Sequence, residues 1–396
     1  MSNTISNLPE YSKNTLMDYL DLKPLDIEIC DVTLRDGEQT PGVAFSKKEK
    51  IALARELDFI GVEIIEAGFP VVSLVEKDTV KKIANMGLDS KICCLARSVI
   101  GDVDAAIDCD VDFVSIFIAM SDLHLQYKYH KSCEEMTKCA METIEHAKDH
   151  GLGVRFAAED ATRTSIDTLK KAFLMAEEYK VDYVSIADTV GILNPSSTSY
   201  LVGEIKKTVH TPICIHCHDD LGMATANTLA AAEAGAKQLH TTVNGIGERA
   251  GNAALEEVLV ALRVQYGIDR YDVSKLTDLS NMVVKYSKVL PAVNKAVVGR
   301  NAFRHESGIH VAAILEEPQT YELYSPEMVG GKRNLVVGKH TGTKALQGIV
   351  RDMGYILERD ELCDLIDKVK VCTEAKRGIS RNRLEVMIRE VKMHDI

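Results

Sequence analysis

Residues 213–219 read ICIHCHD, an apolar, strand-like run that carries His216 and His218 two positions apart. In an extended strand, side chains at i and i+2 share a face, roughly 7 Å apart along the backbone. Two imidazoles on one face can therefore converge on a single metal ion, while Cys217, between them, turns to the opposite face. The competing reading is a pair of histidines satisfied by backbone and water. A divalent ion that is to stay a hard Lewis acid needs further ligands, preferably oxygen. Asp36, just past the first strand candidate in TLRDGEQ, is the best anionic candidate; Asp31, on the strand itself, is the alternative ligand or an outer partner. Asn252, in GERAGN after the last strand candidate, offers an amide oxygen.

The elements that must position these residues are short apolar runs at 27–33, 62–68, 91–97, 112–119, 153–160, 182–189, 212–219 and 238–245, separated by amphipathic stretches. In SKKEKIALARELDFI, Ser46 and Glu49 occupy capping-box positions, and Ala52, Leu53, Leu57 and Ile60 give the apolar stripe of a helix. Eight βα units over about 240 residues match a (β/α)8 TIM barrel, with a doubly wound open sheet as the alternative. The polar residues favour the barrel. They cluster at the carboxyl ends of the strands, in DVTLRDGEQ, EAGFP, AEDATRT, ADTVG, HCHDD and VNGIGERAGN, and a barrel gathers those ends at one mouth. The expected organisation is an N-terminal arm at 1–25, the barrel at 26–290, and a linker with a mainly helical C-terminal subdomain at 291–396. A helix at 272–290 borders that last part, which holds a connector at 291–304, the segment HESGIH, a proline-bearing loop, and two charged amphipathic stretches.

Composition narrows the function classes. A net charge of −12 without a long basic run argues against a nucleic-acid partner bound through its phosphates. No apolar run approaches the ~20 residues that span a bilayer, and the first residues lack the layout of a secretion signal, so a cytoplasmic protein without a membrane partner is expected. The ten cysteines do not form the framework of a short secreted chain, and are expected to be reduced and mostly buried.

The motifs DVTLRDGEQTPG, EAGFP, AEDATRT, ADTVG, HCHDDLGMA, NGIGERAGNAAL, HESGIH and GKHTG, in this order from about residue 26 to residue 345, resemble the acyl-CoA-condensing TIM-barrel family of 2-isopropylmalate, citramalate and homocitrate synthases. The resemblance implies that Asp36, His216 and His218 hold a divalent metal (Mg2+, Mn2+ or Zn2+), with Asn252 as a further ligand, and that Arg35 contacts the 2-oxo group of the substrate. Metal and guanidinium together stabilise the alkoxide formed when a ketone is attacked. Thr189 then donates to the C1 carboxylate, unless it serves only as a helix N-cap. The co-substrate is acetyl-CoA, whose methyl group is a weak carbon acid and needs a positioned base. By resemblance that base is His310 of HESGIH, assisted by Glu159 and Tyr321. Because His310 follows the barrel, it is expected to reach the mouth of a partner subunit, which implies a homodimer with shared active sites. Gln39, Glu248 and Arg249 are expected at the mouth, with a structural Glu248–Arg249 ion pair as the alternative for the last two.

The fifth strand candidate suggests which oxo acid is taken. In VRFAAED, Arg155, Ala157 and Glu159 share one face, so Arg155 enters the barrel with Glu159. A buried guanidinium needs an anion: either the distal carboxylate of a dicarboxylic 2-oxo acid, or a barrel carboxylate such as Glu63 or Glu66. Arg97 and His124 are further candidates for this pocket. Within the family, an arginine before the ED step and an end soon after the helical subdomain are similar to the homocitrate-forming members, although Asp36, Ala157 and Ala158 depart from their pattern. The expected activity is an acyltransferase that condenses acetyl-CoA with 2-oxoglutarate, or a longer dicarboxylic 2-oxo acid, and hydrolyses the thioester to homocitrate and CoA. Such enzymes serve lysine synthesis, nitrogenase cofactor assembly or the oxo-acid elongation of methanogens. The alternatives are a 2-isopropylmalate or citramalate synthase without a regulatory domain, a lyase or carboxyltransferase on the same barrel, and a non-catalytic metal-dependent binding protein.

Overall fold

The computed structural model describes residues 24–375 and 379–393. The arm expected at 1–25 therefore lies almost wholly outside the described residues. The described residues form two compact units, one ending at Pro291 and the other beginning at Ala292.

In the first unit, eight strands close on themselves in sequence order: β1 (Glu28–Asp31), β2 (Ile64–Glu66), β3 (Lys91–Arg97), β4 (Phe113–Ala119), β5 (Gly153–Glu159), β6 (Tyr183–Asp188), β7 (Ile213–Cys217) and β8 (Gln238–Thr241). All pairings are parallel, and β1 pairs with β8 from Glu28 opposite Gln238 to Asp31 opposite Thr241. This is the expected TIM barrel, and the open sheet is excluded. The observed strands stop one to four residues before the carboxyl ends of most of the apolar runs, because there the polar motifs leave the ladder and enter the loops.

The connecting helices start where side chains can take up free amide groups. Ser46 and Glu49 form the expected reciprocal capping box before the helix Lys47–Ile60, and Ser132 with Glu135 repeats it before Cys133–Asp149. Gly61 ends the first of these helices at φ 95°, a left-handed conformation that suits glycine. Its buried face is Lys50, Leu53, Ala54, Leu57 and Ile60 rather than the stripe through Ala52. Lys50 is the exception that matters. Its ammonium, only 1% exposed, bonds Glu38 at 2.6 Å and Glu76 at 2.7 Å. Glu38 also accepts from the Phe45 amide, and Glu76 from that of Phe69. One buried cation thereby ties the loop after β1 to the loop after β2.

The second unit contains a two-residue parallel pair, β9 (Arg304–His305) with β10 (Asn334–Leu335), and helices Gly308–Glu316, Thr343–Asp352, Arg359–Glu374 and Arg381–Met393. Val311, Leu346, Leu365 and Ile388 belong to its apolar core. One expectation changes here: three helices, not two amphipathic stretches, follow β10, and HESGIH leads into the helix Gly308–Glu316. No helix among the described residues is long and apolar enough to cross a membrane.

Candidate metal and substrate site

The carboxyl end of β7 carries His216 and His218, both buried, with ring centroids 5.0 Å apart. From beyond the neighbouring strand β8, the turn after β1 brings in Asp36, whose Oδ2 lies 3.8 Å from His216 Nε2. Ligating atoms of these three residues all lie within 4.8 Å of one another, the only such acid, histidine and cysteine cluster among the described residues. The residues two positions apart on a strand do converge, and the third comes from two strands away.

Asn252 joins them through an isolated bridge with His218. Its Nδ2 donates to Asp36 Oδ2 at 2.7 Å and to the Ile246 carbonyl at 3.1 Å. Its buried Oδ1 and the buried Nδ1 of His218 have no partner. Two imidazoles, a carboxylate and a spare amide oxygen are a donor set suited to a hard or borderline divalent ion, and the orphaned atoms are what such a site leaves unsatisfied. Protonation is equally suited. Burial pushes His216 down to about 3 against the pull of Asp36, and also lowers His218, so both rings are neutral at neutral pH. Burial works to raise Asp36, but the Arg35 guanidinium, the two imidazoles and the Asn252 amide hold it below the usual carboxylate range. Asp31 is not part of this cluster. Its Oδ1 accepts from the Thr33 amide, and burial pushes it up to about 7.

Beside the cluster is a cavity of about 330 Å3 whose lining includes Arg35, Asp36, Gln39, Arg155, Glu159 and Thr189. Arg35 bonds Asp36 through Nη1 and Glu66 through Nη2 at 3.0 Å. Arg155 lies 3.3 Å from the same Glu66 oxygen. It also donates to Gln238 at 2.7 Å, His240 at 3.0 Å and Ser115 at 3.1 Å. Of the two carboxylates expected as structural partners, Glu66 is therefore the one present. Glu63 belongs to the other end of the barrel, bonded to Ile29, Arg270 and Tyr271.

Thr189 caps no helix, since Asn194 caps the helix that follows. Its hydroxyl accepts from the Asp160 amide at 2.8 Å, which leaves its own proton for the cavity it lines. Glu248 and Arg249 also line the cavity but are not the expected ion pair. Arg249, in a left-handed conformation at φ 54°, is clamped on Asp220 by two bonds of 2.8 Å and on the Thr189 carbonyl. Arg97 is absent from the lining, because Asp102 in the first turn of the next helix holds it through Nε at 2.8 Å and Nη2 at 2.9 Å. His124 stands behind the cavity, 3.8 Å from both Glu159 and Asp160. In the second unit, His310 and Tyr321 stack with ring centroids 4.0 Å apart, so the two residues expected to act together are neighbours.

Sequence reasoning passed over Lys128, His240, Ser115, Ser185 and Asp220. His240, Ser115 and Ser185 are legible in retrospect: each faces into the barrel by the same alternation that identified His216. The cysteines also hold a missed feature, since Cys214 and Cys217 have CxxC spacing within β7. On a strand that spacing sends the two thiols to opposite faces. Cys214 meets Gln238 inside the barrel, and Cys217 is buried on the opposite face. All ten cysteines are free thiols.

Known proteins resemble this chain along almost its whole length. The HMGL-like family matches residues 26–283, and the homocitrate synthase post-HMGL domain-like family matches residues 297–377. A homocitrate synthase AksA of Methanosarcina acetivorans is 73% identical over 98% of this chain and 96% of its own length. A 2-isopropylmalate synthase of Methanocaldococcus jannaschii is 46% identical over 93% of this chain and 72% of its own length. Among solved structures, the HMG-CoA lyase of Bacillus subtilis superposes with a TM-score of 0.62 at 20% identity, over 69% of this chain and 98% of the lyase, which bears on the fold alone. A barrel, a following domain and full-length relatives of one kind agree: the chain belongs to the HMGL-like family, in its homocitrate synthase branch.

Proposed function

We propose that this protein is a homocitrate synthase, which joins the methyl carbon of acetyl-CoA to C2 of 2-oxoglutarate, or of a longer dicarboxylic 2-oxo acid, and then hydrolyses the thioester. The observation that carries this reading is one cavity lined by the Asp36, His216 and His218 donors together with two arginines, Arg35 and Arg155. A divalent ion held by those donors, with Asn252 Oδ1 in reach as a further ligand, would polarise the 2-oxo group. Mg2+ or Mn2+ suits the chemistry best.

Charge matching supports an anionic substrate. Arg35 and Arg155 are balanced by Asp36 and Glu66, Lys128 by Glu159 and Arg249 by Asp220, and the His216 and His218 imidazoles are held neutral, as is that of His240. A bound divalent ion outweighs the remaining Glu248 in the lining, and an anionic substrate offsets the excess. Arg35, at the ion's side, orients the 2-oxo group and stabilises the oxyanion as it forms. Thr189 donates to the C1 carboxylate. Arg155, deeper in the barrel, receives the distal carboxylate by giving up part of its bonding to Glu66, Gln238 and His240. His310, stacked on Tyr321 and assisted by Glu159, takes the methyl proton of acetyl-CoA.

His310 acts in the barrel of a second copy, so the enzyme is a homodimer with shared sites, working in the cytoplasm. Apolar side chains exposed in the segments after the strands support a covered mouth: Val72, Leu74 and Val75 after β2, Tyr127 after β4 and Leu221 after β7, with Leu74 87% exposed. Mixing inactive His216→Ala with inactive His310→Ala should restore about a quarter of the wild-type activity through dimers with one intact site. No recovery after subunit exchange would place His310 in its own barrel.

CoA release from acetyl-CoA with Mg2+ or Mn2+ tests the substrate directly, with 2-oxoglutarate, 2-oxoadipate, 2-oxoisovalerate and pyruvate in parallel. The expected result is selective turnover of the dicarboxylates. A preference for 2-oxoisovalerate or pyruvate would make the protein a 2-isopropylmalate or citramalate synthase instead.

A further inference from the structure

Lys128 stands on a single π-helical turn, Leu125–Tyr129, between β4 and the helix Cys133–Asp149, and the turn ends at His130 with φ 52°. Such turns are rare and concentrate at functional sites. In a regular helix, successive side chains diverge by about 100°. Here the consecutive residues Lys128 and Tyr129 meet the same carboxylate. Lys128 Nζ donates to Glu159 Oε1 at 2.6 Å, and the Tyr129 hydroxyl donates to Oε2 at 3.4 Å. His124 Nδ1, from the turn before, is 3.8 Å from Oε1. The three arginines of the cavity are engaged elsewhere, Arg35 on Asp36 and Glu66, Arg155 on Glu66 and Arg249 on Asp220.

Stability does not account for the arrangement. The Lys128 side chain is 45% exposed, and an exposed pair contributes only about 0–1 kcal/mol while a long side chain is immobilised. What the turn does achieve is geometric. Each Glu159 oxygen is met by a donor from one side, and Lys128 and Glu159 both line the cavity.

We infer that Lys128 is a positioning residue for the reaction, acting through Glu159: it holds the carboxylate in one orientation, with the unused lone pairs facing the cavity. The inference rests on the reading of Glu159 as the assistant of the base. Lys128 itself does not touch the 2-oxo acid.

The test compares Lys128→Met, Lys128→Arg, Glu159→Gln and the double variant Lys128→Met/Glu159→Gln in the full chain, with acetyl-CoA, 2-oxoglutarate and Mg2+. Lys128→Met should lower kcat by roughly tenfold to a hundredfold, with the KM for 2-oxoglutarate within about twofold of wild type. Lys128→Arg, which keeps the charge, should recover most of the loss, and the double variant should be no slower than Glu159→Gln alone. Multiplicative losses in the double variant, or a raised acetyl-CoA KM at unchanged kcat, would overturn the inference and make Lys128 a ligand of the co-substrate. Wild-type kcat in Glu159→Gln would remove the reading of Glu159, and the inference with it. Equal losses in Lys128→Met and Lys128→Arg, with matching falls in melting temperature, would make the role merely structural.

Discussion

The two ends of the barrel use the same kinds of side chain to opposite effect. At the amino end, Glu63 accepts from the Ile29 amide at 2.7 Å, from Arg270 at 2.9 Å and from Tyr271 at 3.0 Å, and Tyr183 donates to Glu28 at 2.7 Å. Both carboxylates are used up by the protein itself. At the carboxyl end, Asn252 Oδ1, His218 Nδ1 and His240 Nδ1 are buried without partners. Unpaired buried polar atoms cost about 1–3 kcal/mol each. The amino end closes the structure, and the carboxyl end tolerates that cost because the spare bonding capacity is what a ligand can take up.

The sharpest way to break this comparison is at β7. His216→Ala or His218→Ala should lower kcat by about a thousandfold or more while the melting temperature stays within a few degrees, as read by CoA release and by thermal unfolding. A metal-depleted wild type should behave in the same way and recover on adding Mg2+ or Mn2+. Full activity of His216→Ala under strict chelation would show that the unsatisfied end is not the working one.

Lys50→Met inverts the expectation, because it strikes a buried cation that serves the mouth only as a brace. Leaving Glu38 and Glu76 without it should cost about 3–5 kcal/mol of unfolding free energy, measured by denaturant titration. Residual activity per folded molecule should fall less than in the histidine variants.

Arg155 belongs to both descriptions, since it is bonded to Glu66 inside and lines the cavity. Arg155→Gln should raise the KM for 2-oxoglutarate by roughly tenfold to a hundredfold, in line with the loss of a charge-assisted bidentate bond. Turnover of monocarboxylic acids should change much less. Equal effects on both would assign Arg155 to structure. The smallest effect is expected at the floor: Tyr271→Phe should lose about 1 kcal/mol of stability with kcat and KM unchanged.

Much of this was legible in the chain itself. The eight strands, the capping box of Ser46 and Glu49 and the His216–His218 pair follow from local rules, namely the two-residue period of a strand and the need to satisfy the first amides of a helix. The order of the motifs along the chain identified the family. Whether a given charged residue serves substrate or structure was not legible, because that depends on which partner arrives from a distant segment. Arg97 sits at the end of its strand where a ligand would be held, yet Asp102 captures it five residues later. Arg249 passes over its neighbour Glu248 for Asp220, and Arg155 finds Glu66 rather than Glu63.

By itself, then, the sequence determined the barrel, the face on which each strand residue lies, and the residue types available at the mouth, since these follow from periodicity and capping within a few positions. Only the tertiary structure decided the pairings: Asp36 with His216 where the barrel closes, Lys50 between two loops, and Lys128 on Glu159. Ion pairs and metal ligands act over 3–4 Å in space with no regard for sequence separation, so no local pattern records them until the chain has closed.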